Sequence, residues 1–420
     1  MRQELLGQWS PRKHAVLALT LILLYFWRRP DALSSPQFYS EDLCIFFAEQ
    51  VRYGWASLLR PYNGYESFLL RLIALLAGLV PVYHQPLFYS ICTLTLQGVA
   101  GAVFYLPGFR HLVASDTLRG TMCLAYVAAS PAFEIAGTLT NLQWPLMVAA
   151  LLLLVYEPAA DSRKLPVFRA ACVFLCGLTA ALLVLAVPVA IWRIWRGPKR
   201  ERLVALACIV ASLIQVCVYF LFPPPPAASP GRYTLPQVFL AVSSSLVYRS
   251  VLYTLAGSHA VLRMAETGFP PLVLLATMLS GWVVWLVWSL ERQRIYILGA
   301  VYLSAASVAV PLVARDILKY FYTVDQQSIW YAHRHMVLPA AVTLLFLGLT
   351  LERTISPARN WLRLLCLALA VSGGVASNFR LPALADLHWA REAARIEAAL
   401  SSGMPIDVQV NPPGKTCSIP

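Results

Sequence analysis

Apolar runs, continuous rather than alternating, recur along all 420 residues of this chain, and nothing else in it constrains the fold as strongly. A continuous apolar run satisfies its backbone in hydrocarbon only as a helix. The chain therefore reads as an all-α polytopic membrane protein. A transmembrane β-barrel would need strands that alternate apolar and polar residues, which these runs do not. Composition agrees, with 59% hydrophobic and 13% charged residues and a mean hydropathy of +0.65, leaving no room for a soluble class.

The first run, 14–27, has signal-peptide length, but no small-residue cleavage site follows it, so it reads as an uncleaved signal anchor. The formal charge of +13 is distributed as a topology signal, and no nucleic-acid partner is expected. The basic stretch 193–202 (RIWRGPKRER) and the loop around Arg163 and Lys164 both belong on the inside. Between them lies one apolar region, 167–191, that a single crossing would carry to the wrong side. Gly177 and Pro188 interrupt it and its length suits two half-height helices, which predicts a re-entrant or short helical hairpin. By the same rule the loop 110–119 is inside, so one crossing, at 86–107, separates it from the first outer loop. The segment 67–80, with Arg71 on its apolar face, then becomes an interfacial helix, the alternative being an ordinary span with a snorkelling Arg.

The expected bundle has about 10–12 transmembrane helices, near 14–27, 86–107, 119–133, 142–156, the hairpin 167–191, 203–222, 268–290, 295–314, 336–351 and 362–376. A long first outer loop, 28–85, holds the interfacial helices. Residues 1–376 form the membrane unit, and 377–420 form an outer tail. Arg28 and Arg29 fall outside, against the charge rule. An outer loop that opens with the proline run 223–226 holds an amphipathic stretch, 235–255, read as interfacial or as a further hairpin.

Carboxylates are costly near lipid and usually functional, so Glu41 and Asp42, shortly after the first crossing, lead the candidate site. Arg60, Tyr62, Asn63 and Tyr65 follow in a turn rich in hydrogen-bonding groups. Glu134 precedes Asn141, Gln143 and Trp144, which open the fourth span. Tyr331, His333, Arg334 and His335 stand just before a later helix, after Arg315, Asp316, Lys319 and Asp325. Each has a plainer reading. The acidic pair and Asn141 suit helix caps, and Arg334 and Trp144 suit interfacial anchors. His333 and His335, at i and i+2, face different sides and lack a third ligand, so they read as solvated loop histidines. Together, however, a carboxylate that takes a proton from an acceptor hydroxyl and cations that hold a departing phosphate are what glycosyl transfer from a lipid-phosphate donor requires.

This architecture, with the short motifs 39–42 (YSED), 61–65 (PYNGY) with Arg71, Glu134 with 141–144 (NLQW), 331–334 (YAHR) and 406–414 (IDVQVNPPG), resembles the GT-C class of integral-membrane glycosyltransferases, in particular bacterial members of the surface-polysaccharide type. The resemblance implies Asp42 as catalytic base or metal ligand, with Glu41 second because adjacent side chains on a helix cannot both enter one site. It implies a polyprenyl-phosphate sugar donor whose phosphate rests on Arg334, with Arg60 and Arg71 in reserve. Tyr62, Asn63, Tyr65, Glu134, Asn141, Gln143, Trp144, Tyr331 and His333 would line the substrate site. The acceptor would be a glycan or lipid-linked molecule, met in the bacterial inner membrane at its periplasmic face. The resemblance fixes no cofactor, and a divalent metal is compatible with the acids and histidines. No large outer domain is present, which leaves acceptor recognition to the loops and the tail. Two other classes fit an outer-face bundle. A glycan polymerase or ligase would rely on Arg and His in a large late loop, which is short here; a transporter or flippase would show paired repeats and mid-membrane charge, and neither is clear. Of nine cysteines, Cys44 and Cys417 fall on the outer side, where an oxidising periplasm lets them pair or leaves two free thiols.

Overall fold

The computed structural model describes residues 10–157, 164–224, 233–267, 269–314 and 333–420. Among them, seven helices are long and apolar enough to cross a membrane: Val82–Tyr105, Lys199–Leu221, Leu235–Ala256, Pro271–Ser289, Glu291–Val313, His333–Thr354 and Pro357–Asn378. The chain is a helical, multi-pass membrane protein. In chain order its main helices are α1 (Pro11–Arg28), α2 (Phe68–Ala77), α3 (Gln85–Ala102), α4 (Asp116–Ala129), α5 (Gln143–Val155), α6 (Lys164–Gly177), α7 (Val187–Arg196) and α8 (Arg202–Leu221). Then come α9 (Leu235–Ser244), which runs on through Ser245–Leu252 to Tyr253–Ala256, α10 (Ser258–Glu266), α11 (Phe269–Ser289), α12 (Arg294–Ala314), α13 (Val337–Thr354), α14 (Asn360–Asn378) and α15 (Trp389–Ser402). Local signals start them. Ser10 accepts the Lys13 N–H at 3.2 Å with Pro11 in the first turn of α1, and Ser115 accepts the Leu118 N–H at 3.2 Å ahead of Asp116 in α4.

Polar bonds distinguish the two ends of the bundle. At the basic end Asp116 pairs with Arg110 and Arg119, and Glu352 accepts the Ala114 and Ser115 N–H groups at 2.9 Å each and meets Arg363 at 3.5 Å. At the acidic end the Arg28 guanidinium donates to the carbonyls of Val127, Ser130, Asn378 and Phe379, the last carbonyls of α4 and α14. Arg29 donates to Phe133 and Ala136, both at 3.0 Å. Helix ends leave such carbonyls unsatisfied and carry partial negative charge. Arg28 thus staples the ends of α4 and α14, and Arg29 ties the end of α1 to the loop that follows α4.

The segment 167–191 leaves the basic end and returns to it. Arg169, near the start of α6, and Arg193, near the end of α7, both reach the buried Glu201, at 2.9 and 3.2 Å. The chain breaks at Leu178–Ala180 between α6 and the turn Ala181–Ala186. At the apex the Leu178 carbonyl accepts the Phe68 N–H at 3.2 Å, Thr179 accepts the Leu69 N–H at 3.1 Å, and Gln215 of α8 bridges the Gly177 and Glu66 carbonyls at 2.9 and 3.1 Å. A Cβ on Gly177 would lie 2.6 Å from Ala211, so only glycine lets the apex approach α8 this closely. The two arms thus meet at Glu201, and the tip between them holds the start of α2.

With ten residues, about 15 Å at 1.5 Å per residue, α2 is too short to cross a membrane. The stretch Leu235–Ala256 is long enough to cross, yet both its ends meet the acidic end. Ala241 packs with Val308, Leu312 and Met336, while the Tyr253 carbonyl accepts from Asn378 at 3.0 Å. It slants across that end as a roof. The C-terminal segment is not helical throughout: after α15, strands β1 (Ile406–Val410) and β2 (Lys415–Ile419) form an antiparallel hairpin with Val408 opposite Cys417.

Candidate functional site at the acidic end

Asp42 opens a short π-helical turn, Asp42–Phe47, with Glu41 just before it, and the two acids have different surroundings. Asp42 is buried, and its carboxylate oxygens accept the Thr140 N–H at 2.8 Å and the Leu139 N–H at 3.0 Å. Burial pushes its pKa up to about 8, opposed by those two amide bonds and helped by the neighbouring Glu41 charge. Both oxygens are thus engaged in holding the loop before α5. Glu41, half-buried, lies within electrostatic reach of Tyr39 and Arg334.

The loop between α4 and α5 supplies the facing wall. Thr138 Oγ1 and Asn141 Nδ2 both donate to the Glu134 carbonyl, at 2.6 and 2.7 Å, and Gln97 of α3 donates to the Ile135 carbonyl at 2.8 Å. Gly137, at φ +77°, lets the chain turn within this knot. The result presents the buried Glu134 toward Arg334. Gln143 donates to the Tyr65 hydroxyl at 3.3 Å and to the Thr140 carbonyl at 3.1 Å, which brings the 61–65 turn to the same wall. Trp144 lies edge-on to His335, ring centroids 4.6 Å apart, and His333 lies edge-on to Tyr253 at 4.9 Å. Between these two histidines Arg334 has Glu134, Glu41, Tyr39 and Tyr65 as charged and phenolic neighbours. Burial, followed by the Glu134 charge, pushes the Tyr39 hydroxyl up, while Arg334 pulls it down.

The fold therefore gathers Tyr39, Glu41, Asp42, Tyr65, Glu134, Asn141, Gln143, Trp144, His333 and Arg334. It places Arg60 and Arg71 elsewhere. Both meet Glu49, Arg71 at 2.8 Å from a fully buried position and Arg60 at 3.7 Å, and Arg60 also lies over the Tyr53 ring at 3.8 Å. Asn63 serves a tight turn at φ +51°, and Tyr62 packs against the Phe46 and Tyr65 rings. Tyr331 lies outside the described residues. Among the described residues no group of three His, Cys, Asp or Glu side chains could hold a metal ion. Cys44 and Cys417 are bonded to one another, with their Cα atoms 5.0 Å apart.

Three residues escape the sequence reading. Glu49 is the partner of Arg71, and an arginine on an apolar ten-residue helix was the signal that a counter-charge exists. Glu66, close to Arg71, is pushed up to about 7 by burial, against the Ser67 N–H bond and the Arg71 charge. Arg249 is buried in the slanting helix, which packs against the turn His333–Met336; a lone cation in an apolar stretch marks such a position.

Beneath the site, between α3, α4, α5, α7, α12 and α13, lies an apolar cavity of about 390 Å³. It runs from Leu112 and Tyr296 near the basic end to Val148 and Leu338, one helical turn from Trp144 and His335. Fold and site together define the class: a multi-pass helical membrane protein with acids, an arginine and aromatic rings recessed at one end above an apolar chamber. Comparison with protein-family models, with curated proteins and with solved structures finds no match to this chain.

Proposed function

We propose that this protein is a GT-C-like glycosyltransferase that moves a sugar from a polyprenyl-phosphate donor to a glycan or lipid-linked acceptor. Its bundle of about 10–12 membrane helices would place the acidic end at the periplasmic face of a bacterial inner membrane. The observation that carries this reading is the grouping of Arg334 with Glu41, Glu134 and Tyr39 at one end of a bundle whose apolar chamber begins one helical turn from Trp144 and His335. A polyprenyl chain needs apolar surroundings, a phosphate needs a cation, and an acceptor hydroxyl needs a base.

Glu41 is the base in this scheme, ahead of Asp42, whose two oxygens are taken up by main-chain amides. The Glu41 carboxylate takes the acceptor hydroxyl proton as the acceptor oxygen bonds to the anomeric carbon. The bond from that carbon to the donor phosphate oxygen breaks, and the leaving phosphate keeps the electron pair against Arg334. Burial of the site strengthens both interactions. Glu134 orients Arg334, and Trp144 and Tyr65 offer surfaces on which a sugar ring can pack.

The test uses membranes containing the full chain and radiolabelled polyprenyl-phosphate sugar. Glu41→Gln is expected to lower transfer by about 100-fold or more, with the protein present at wild-type levels. Transfer at the wild-type rate by Glu41→Gln would overturn the assignment.

A further inference from the structure

We propose that the C-terminal hairpin is a clamp that aims Glu41, with Asn411, Lys415 and Cys417 as its positioning residues. Ser40, immediately before Glu41, has φ +33°, a left-handed backbone that a residue with a Cβ rarely adopts. Such a conformation persists only where its surroundings impose it. Three bonds from the hairpin do so. The Ser40 N–H donates to the Asn411 carbonyl at 2.6 Å, Lys415 Nζ donates to Ser40 Oγ at 2.7 Å, and Cys417 is bonded to Cys44, whose own N–H donates to the Ser40 carbonyl at 3.1 Å.

The clamp is itself fastened to the rest of the acidic end. The Asn411 side chain pairs in both directions with the main chain of Ala385, at 2.9 and 3.0 Å. Trp389, at the start of α15, packs edge-on against Phe38 at 4.9 Å and donates to the Tyr83 carbonyl at 2.9 Å. Gln37 reaches Asp386 at 3.3 Å, and the Leu384 N–H reaches Asp31 at 3.0 Å. The tail thus grips the acidic loop on both sides of Ser40. The φ angle of Ser40 decides which acid faces Arg334 and which faces the amides of Leu139 and Thr140. Return of Ser40 to a negative φ swings the following peptide and carries Glu41 away from Arg334. The outer tail is thereby a fixed part of the site's geometry.

The ordering of the loop stands on the structure alone, whereas the aiming of a base rests on the transferase reading. The experiment therefore has two readouts on the full chain in lipid nanodiscs. Hydrogen exchange is measured over residues 38–46 for wild type, Lys415→Met, Cys417→Ser and the conservative Lys415→Arg, and donor-dependent transfer is measured on the same samples. Lys415→Met and Cys417→Ser are expected to exchange about tenfold faster or more in this segment, with exchange in α3 to α5 unchanged and Lys415→Arg close to wild type. Their kcat is expected to fall about tenfold or more while KM for the donor, set at Arg334, stays near wild type. Unchanged exchange in both variants overturns the clamp. Faster exchange with unchanged kcat overturns the aiming of Glu41. A wild-type protein that transfers no sugar overturns the transferase reading and the aiming with it, while the exchange comparison still decides the clamp.

Discussion

At the basic end of the bundle the buried arginines Arg119, Arg169, Arg193 and Arg363 each meet a carboxylate as well as main-chain carbonyls, whereas at the acidic end Arg28 donates to main-chain carbonyls, Arg29 to two carbonyls and Asp31, and Asp42 spends its oxygens on main-chain amides. The two solutions have different consequences. A closed pair of side-chain charges fixes two elements and leaves little charge for anything else. When the backbone does the holding, side-chain charge can be grouped for another purpose, and Glu41, Glu134 and Arg334 are so grouped. One end reads as a weld and the other as a workplace.

Breaking the weld should have the largest effect. Glu201→Ala leaves Arg169 and Arg193 buried without their shared carboxylate and is expected to cost about 3–5 kcal/mol, seen as loss of folded protein on detergent extraction and a lower Tm. The hairpin tip and α2 should loosen together, since both hang from that junction. Arg71→Met is expected to act on the same side of the comparison although it sits at the acidic end. It should lower stability by about 1–3 kcal/mol through the Glu49 contact while leaving transfer per folded molecule near wild type. A donor KM that rises sharply in Arg71→Met would move Arg71 into the site.

The effect that is smallest per step of the variable changed concerns pH. The Asp42 pKa is raised on folding, so the folded state binds the proton more tightly than the unfolded chain. Its contribution is fully present below the ordinary value of 3.8 and is lost as pH rises to about 8. Thermal stability should therefore fall with pH across that window, by at most about 1.4 kcal/mol per pH unit from this group. Asp42→Asn should flatten the profile, as measured by Tm at half-unit pH steps. An identical slope in the variant would show that Asp42 is not the titrating group.

Much of the frame was legible because charge and apolar length are written in the chain. Basic stretches at 163–164 and 193–202 on either side of one apolar region predicted that it turns back; the chain does so at 178–186, and both arms meet at Glu201. The members of the site on four separate segments were legible as residue types that lipid makes costly. Their roles were less so. The partners of Asp42 are amides nearly a hundred residues away, and a main-chain N–H has no signature in sequence. The pairing of Arg71 with Glu49 depends on how two short helices of the first loop cross, which apolar spacing alone does not encode. The hairpin at 406–419 was legible in the alternation of Ile406, Val408 and Val410 with polar residues. Only the structure shows that its Asn411 sits against Ser40.

The most direct test is a structure of the full chain in lipid with a polyprenyl phosphate bound. The account expects the phosphate oxygens within about 3 Å of the Arg334 guanidinium, the polyprenyl chain leading into the chamber beside Val148 and Leu338, and Glu41 on the side from which an acceptor would come. A phosphate bound at Arg60 and Arg71 instead, with Arg334 untouched, would contradict it.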